Sequence, residues 1–281
     1  MTAPALRQEL PSVRQVRARN LARQSANRIH DDDVARTLGY AGGLVPGTTV
    51  YGYLTGPLVA AWGPDWLARG TGRLLLRLPL YDGDEVELGC RPLGRSGRGD
   101  AGEVVVELTA ATPRGPAATL VAGLAWGGPA LAPDPGRYPA ASPSARPVAA
   151  EAGALQALDR LIPVTGRFEA AELARYADEL DDPLPIYRGP EAVVHPGLLL
   201  QQANRALAEN VRLGPWIHAA SDVVHCGTAR AGEPLVTRGR VARVFERSGH
   251  GFVDLDVVVW GANDRPVLHV SHTAIYRLRA G

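Results

Sequence analysis

The chain contains no lysine; all 30 of its basic residues are arginine, set against 29 acidic ones for a formal net charge of +1. No basic excess is present to advertise a nucleic-acid or anionic-membrane partner. The arginine bias reads as genomic base composition, although local arginine clusters remain able to hold phosphates. There are two cysteines, Cys90 and Cys226, with no CxxC pair and no disulfide framework, which fits a reducing compartment. Both sit in strand-like runs without a convincing local base, so a packing role is expected of each. No stretch approaches the roughly 20 apolar residues of a membrane span, and MTAPALRQELPSVRQVR has no apolar core of signal-peptide length. A soluble, cytoplasmic protein is expected. No Gly-rich phosphate loop stands between a strand and a helix, and no histidine pair has metal-site spacing; neither a cofactor nor a metal is expected.

What is present at 281 residues suits two domains of roughly 120–140 residues, each large enough for a buried core. The segment Gly127 to Ala150 is dense in Pro, Ala, Ser and Gly and reads as a linker that cannot sustain a ladder. Residues 1–127 form a first half, 128–150 the linker and 151–281 a second half. In the first half a short strand near Val13–Ala18 and a helical turn near Val34–Tyr40 precede TTVYGYLTGPLVAAW, where Val50, Leu54 and Leu58 recur at helical spacing. Pro57 is expected to kink or end that helix. GRLLLRLPL, DEVELGCRPL, GEVVVELTAAT and AATLVAGLAW then read as antiparallel strands separated by turn chemistry such as Asp82-Gly83. The tract Arg95–Asp100 reads as a solvated hairpin tip.

The second half repeats this plan. A helical stretch at Glu151–Leu161, a strand near Pro163–Phe168 and an amphipathic helix in FEAAELARYADEL precede HPGLLLQQANRALAENV, which corresponds to VPGTTVYGYLTGPLVAA. Strands follow at about 218–227, 234–244, 250–260 and 266–278. The turn Tyr81-Asp82-Gly83-Asp84 is echoed by Arg230-Ala231-Gly232-Glu233. One period of roughly 150 residues means two copies of one domain, of the α+β class, with one long helix against an antiparallel sheet in each.

The stretch SANRIHDDDVARTLGYAGGLVPG, Ser25 to Gly47, carries the candidate chemistry. His30 lies in a polar loop between Asn27 and three aspartates, and a histidine there is able to exchange protons near neutral pH. Asp31 to Asp33 are suited to capping and charging the helix at Val34. Gly47 opens the central helix, where free amides and the helix dipole favour developing negative charge; Val-Pro-Gly before a helix is also ordinary initiation grammar.

The segment resembles the MaoC-like, R-specific enoyl-CoA hydratase branch of the hotdog superfamily, whose site reads roughly Asp-x-Asn-Pro-x-His followed by a Gly turn and the central helix. Asn27 and His30 match, Arg28 stands for the proline and Ser25 for the aspartate. A second copy, DPLPIY at Asp182 to Tyr187, keeps Asp and Pro and replaces the Asn by leucine and the His by Tyr187. The resemblance implies a double hotdog: two tandem copies of a central helix wrapped by an antiparallel sheet, the second degenerate. It further implies a hydratase or dehydratase acting on an enoyl or 3-hydroxyacyl thioester of CoA or an acyl carrier protein. His30 would be the general acid/base, Gly47 the donor to the thioester oxygen, and Asn27 and Ser25 would position water or His30; Val45, Pro46 and Tyr51 would contact substrate. With the carboxylate absent, a cyclase, isomerase or thioesterase of the same fold, or a non-catalytic acyl-binding subunit, are the alternatives. A fused pair completes one hotdog dimer by itself, and further pairing into a homodimer through sheet edges stays open. His195, just before Pro196-Gly197, either faces a pocket or caps a helix start; His225, His250, His269 and His272 are expected to be structural, His218 and Cys226 offer no metal constellation, and Trp62 and Trp66 are expected to pack in the core.

Overall fold

A computed structural model describes residues 12, 14–98, 101–127, 132–142 and 145–279. The first half runs β1 (Arg14–Arg17), a 3-10 turn (Arg28–His30), α1 (Asp32–Thr37), α2 (Gly47–Arg69), β2 (Gly70–Leu76), β3 (Glu85–Arg98), β4 (Ala101–Thr112) and β5 (Gly115–Trp126). After β6 (Val148–Ala149) and α3 (Ala152–Gln156), the second half repeats it: β7 (Val164–Gly166), α4 (Ala170–Glu179), a 3-10 turn (Pro185–Tyr187), α5 (Pro196–Asn210), β8 (Val211–Arg212), β9 (Ile217–His225), β10 (Leu235–Arg247), β11 (His250–Trp260) and β12 (Pro266–Arg277). Among the described residues no helix is long and apolar enough to cross a membrane.

The two halves share one ten-stranded antiparallel sheet, ordered β1-β3-β4-β5-β2-β9-β12-β11-β10-β7. That order is a palindrome of equivalent strands, joined at its centre where β2 pairs with β9 from Thr71↔Val224 to Leu75↔Ala220. The two long helices pack on each other and on the sheet. Residues Thr48 to Val59 of α2 are all buried, as expected of a helix that is apolar around its circumference and therefore wrapped on every side. Apolar residues of both halves form one continuous core.

The duplicated turns share their bridges and hydrogen bonds. Leu44 bridges Tyr81 and Val193 bridges Arg230; the Asp84 carboxylate accepts from the Tyr81 amide at 2.8 Å, and Glu233 from the Arg230 amide at 3.1 Å. This pairing moves the register one residue away from the Val-Pro-Gly to His-Pro-Gly alignment. Pro46 is matched by His195 and Gly47 by Pro196, the N-cap and first residue of each helix.

Pro57 neither kinks nor ends α2. The helix runs through it and breaks instead at Gly63 (φ 59°, ψ −150°), just before Pro64. A residue preceding proline is driven out of the α region, glycine tolerates positive φ without strain, and Pro64 restarts the last turn at a position needing no amide donor. The helix expected over Glu151–Leu161 stops at Gln156 because the next backbone is claimed by β10: the Leu161 amide donates to Gly239 and the Val241 amide to Leu158. The linker also departs from expectation. Val148–Ala149, beyond its last proline, forms a short parallel ladder with Val211–Arg212, and buried Tyr138 packs on Val258 and Trp260. Residues 128–131 and 143–144 of the linker, 99–100 of the Arg95–Asp100 tract, and the N-terminal stretch up to residue 11 lie outside the described residues. Arg95 itself stacks on Trp126.

Candidate active site

Helix α2 begins without a cap. Its N-cap residue is Pro46, which offers no side-chain hydrogen bond to the first turn. Gly47 is partly open whereas the residues on either side are buried. A cavity of about 210 Å³ meets the helix there, walled by Leu44, Val45, Val50, Leu76, Leu80 and Ile217, with Tyr40, Arg77 and His218 as its polar members. A helix start with unsatisfied amides carries a partial positive charge. Facing an apolar cavity, it favours an oxygen that gains negative charge. Gly47 is also a packing requirement: a Cβ there would collide with the tip of Leu76 and lie 2.6 Å from His218 Nδ1. Gly47→Ala is expected to lower stability by about 1–3 kcal/mol through overpacking and to weaken acyl-ligand binding; urea titration and ligand calorimetry check both.

His30 closes the 3-10 turn that Asn27 caps through Ile29. Its Nδ1 donates to the Leu44 carbonyl at 2.7 Å. Because a carbonyl can only accept, Nδ1 carries the proton and Nε2 is the basic nitrogen. Leu44 walls the cavity, so His30 is hung from the residue that bounds the ligand space, although its ring is not itself in the lining. Burial pulls the His30 pKa below 6.5, with the Leu44 hydrogen bond opposing. The amide of Asn27 stands 3.5 Å from Nε2 and clamps the second half, donating to the Trp216 carbonyl at 2.9 Å and accepting from its amide at 3.2 Å. Ser25 turns away: its hydroxyl donates to the Asn27 carbonyl at 3.2 Å. The turn carrying Asn27 is thereby braced. Asp31 caps α1 through the amides of Asp33 and Val34, as read from the sequence.

Of the other residues implied by the resemblance, Val45 lines the cavity, while Pro46 and Tyr51 are not in its lining. Tyr51 is fully buried with its hydroxyl 3.1 Å from His225 Nε2. Conversely, His218 in β9 lies in the cavity wall, a placement that its sequence position did not signal. His218 pairs with Ala274 and Ala220 with Thr273, so Ala219 is the extra residue of a β-bulge. The bulge breaks the alternation and turns both His218 and Ser221 inward.

The second copy is sealed. Asp182, Tyr187 and His195, at the positions matching Ser25, His30 and Pro46, are each 1% exposed or less. Where α2 leaves its amides open, His195 Nδ1 accepts from the Gly197 amide at 3.1 Å and stoppers α5. Its Nε2 lies 3.5 Å from Asp182. The Tyr187 ring packs tilted against His195, centroids 4.5 Å apart, and its buried hydroxyl has no hydrogen-bond partner.

The remaining candidates are structural in placement. Trp62 and Trp66 are in the core, His225 packs tilted against Trp66, and His269 pairs with Asp256 at 2.8 Å. Burial raises both thiols, Cys226 to about 11, which disfavours thiolate chemistry. Among the described residues no three His, Cys, Asp or Glu side chains converge as metal donors.

Burial depresses five histidines, His30, His195, His218, His225 and His272, with His218 near 4 and His225 near 3. Unfolded, each titrates near 6.5, so below that pH the unfolded chain binds protons that the native chain refuses. Stability is therefore full above 6.5 and lost as pH falls toward the native values. The drop for His218 alone is on the order of 3 kcal/mol. Calorimetry at neutral pH and at about pH 5 should show a melting temperature lower by several degrees at the acid value; an equal or higher one contradicts the burial of these imidazoles as neutral groups.

No family model and no curated protein matches the chain in sequence. Solved structures match it in fold. A MaoC domain protein from Chloroflexus aurantiacus superposes with a TM-score of 0.71 at 13% identity, over 97% of this chain and 96% of that one. A conserved hypothetical protein from Mycobacterium tuberculosis with a double hotdog fold gives 0.65 at 18%, over 97% and 98%. A MaoC-like dehydratase from Phytophthora capsici gives 0.53 at 14%, over 97% of each chain. The chain is a double hotdog protein built like the MaoC-like dehydratases.

Proposed function

We propose that the chain is a hydratase or dehydratase of enoyl or 3-hydroxyacyl thioesters, working in the first half alone. The carrying observation is the uncapped start of α2 opening onto an apolar cavity, with His30 suspended from Leu44 in the wall of that cavity. The acyl chain occupies the apolar space and the thioester oxygen accepts from the Gly47 amide. As C2 becomes enolate-like, that oxygen gains the charge that the helix start stabilises. His30 Nε2 exchanges the proton of the oxygen that is added to or lost from C3. Arg77, exposed on the rim, offers a guanidinium to a phosphate of a CoA or carrier-protein arm.

A second reading is isomerase or thioesterase chemistry in the same cavity. It is favoured by the hydrogen-bond partners of the His30 ring, which are Leu44 and Asn27 and, among the described residues, include no carboxylate. Product mass separates them, since hydration adds water, isomerisation conserves mass and hydrolysis frees a thiol. Binding of a saturated acyl thioester that is lost in Gly47→Ala supports the shared cavity; binding that ignores this substitution removes it from both readings.

A further inference from the structure

His218 is the group that the sequence reading left without a task. It is 6% exposed, it belongs to the second half, and it stands in the cavity of the first. Its two nitrogens have opposite surroundings. Nε2 lies 2.8 Å from the Ser221 hydroxyl and 3.2 Å from the Ala220 carbonyl. The carbonyl only accepts, so Nε2 carries the proton. Nδ1 then holds a lone pair, and it is buried with no hydrogen-bond partner, 2.6 Å from where a Gly47 Cβ would lie. Behind it, the Ser221 hydroxyl reaches His272 Nδ1 at 3.0 Å, and the His272 ring lies 4.3 Å from that of His218. These contacts hold the ring in one orientation and one tautomer.

Resting on the reading of the cavity as a thioester site, we propose that His218 is a second catalytic residue of this site, the base for the C2 proton, contributed across the junction of the two halves. An acyl thioester bonded through its oxygen to the Gly47 amide places C2 beside Nδ1. In dehydration the C2–H bond breaks and its proton goes to His218 Nδ1. The electron pair forms C2=C3, the C3–O bond breaks, and the departing oxygen takes from His30 Nε2 a proton that this nitrogen, unprotonated at rest, has first taken up from solvent. Water and the enoyl thioester leave; His30 is again neutral, and His218 returns its proton to solvent. Hydration is the reverse. His218 thus performs work for which the first half has no carboxylate at Ser25. Burial keeps the imidazole neutral at pH 7, and no cationic or anionic side chain is among its hydrogen-bond partners.

The test is exchange of the C2 hydrogen of a 3-hydroxyacyl thioester in deuterated water, read by mass, beside elimination in the same tube. His218→Gln keeps a donor toward Ser221 and removes the lone pair facing Gly47. Exchange is expected in wild type, to fall by about 100-fold or more in His218→Gln, and to persist in His30→Ala. Exchange in His218→Gln within threefold of wild type overturns the proposal, as does wild type that exchanges nothing. Exchange without elimination in wild type leaves the base assigned and sinks the dehydratase reading instead. A 2-bromoacyl thioester supplies a measurement on wild type alone: Nδ1 displaces bromide, and peptide mapping should find the label on His218. A label found only elsewhere overturns the assignment.

Discussion

Asp182→Ala is expected to lower the free energy of unfolding by about 1–3 kcal/mol, the cost of leaving buried donors without the carboxylate that faces them. Asp182 is 1% exposed and lies 3.5 Å from His195 Nε2, while its other oxygen accepts from the Leu184 amide at 3.0 Å. Although burial pushes its pKa upward, hydrogen bonds from His195 and Leu184 and the charge of Arg14 leave it below the ordinary carboxylate value. Arg14 arrives from β1 of the first half, anchored to the Asp181 carbonyl at 3.0 Å, with Nε and Nη2 buried and unbonded. Removing the carboxylate strands that guanidinium. Urea unfolding measures the loss; a change under about 1 kcal/mol would show that the pair is not holding the halves together. Rates complete the argument: the folded Asp182→Asn protein should keep turnover within a few-fold of wild type, because this carboxylate is sealed from the cavity.

His30→Ala is expected to cut kcat by about 10²–10⁴-fold, the range for removing a general acid–base group, with little change in affinity for a saturated acyl thioester. The separation follows from placement. The acyl space is bounded by Leu44, Val45, Val50, Leu76, Leu80 and Ile217, and the His30 ring is outside that lining. Substitution removes the proton carrier and leaves the wall. Loss of affinity equal to the loss of rate would make His30 a packing residue; unchanged turnover would take it out of the mechanism.

The fold was legible because the signal was repeated. Two apolar helices, two sets of four strands and two matching turns each supported the other, and the observed strands fall within a few residues of the patterned segments. Pro57 misled because one lost amide donor is outweighed when the helix is buried all round, whereas Gly63-Pro64 combined two local preferences for a break. In the proposed site, Asn27, His30 and Gly47 could be picked out together because they fall in one segment that has its own capping chemistry. His218 could not: its direction is set by a bulge at Ala219, and its partner in space, Gly47, lies in the other half. Tyr51 fails to reach the cavity for a related reason. Helical spacing fixes its face relative to its neighbours on α2, but only the fold shows that this face looks to His225.

The central claim is that the open copy adds or removes water at an acyl thioester while the sealed copy does not. Incubating wild type with a 2-enoyl thioester and weighing the product by mass spectrometry tests it most directly. A product heavier by one water, formed at an undiminished rate in folded Asp182→Asn and lost in His30→Ala, is the predicted result. A product of unchanged mass or a freed thiol would contradict it, as would no reaction in either direction.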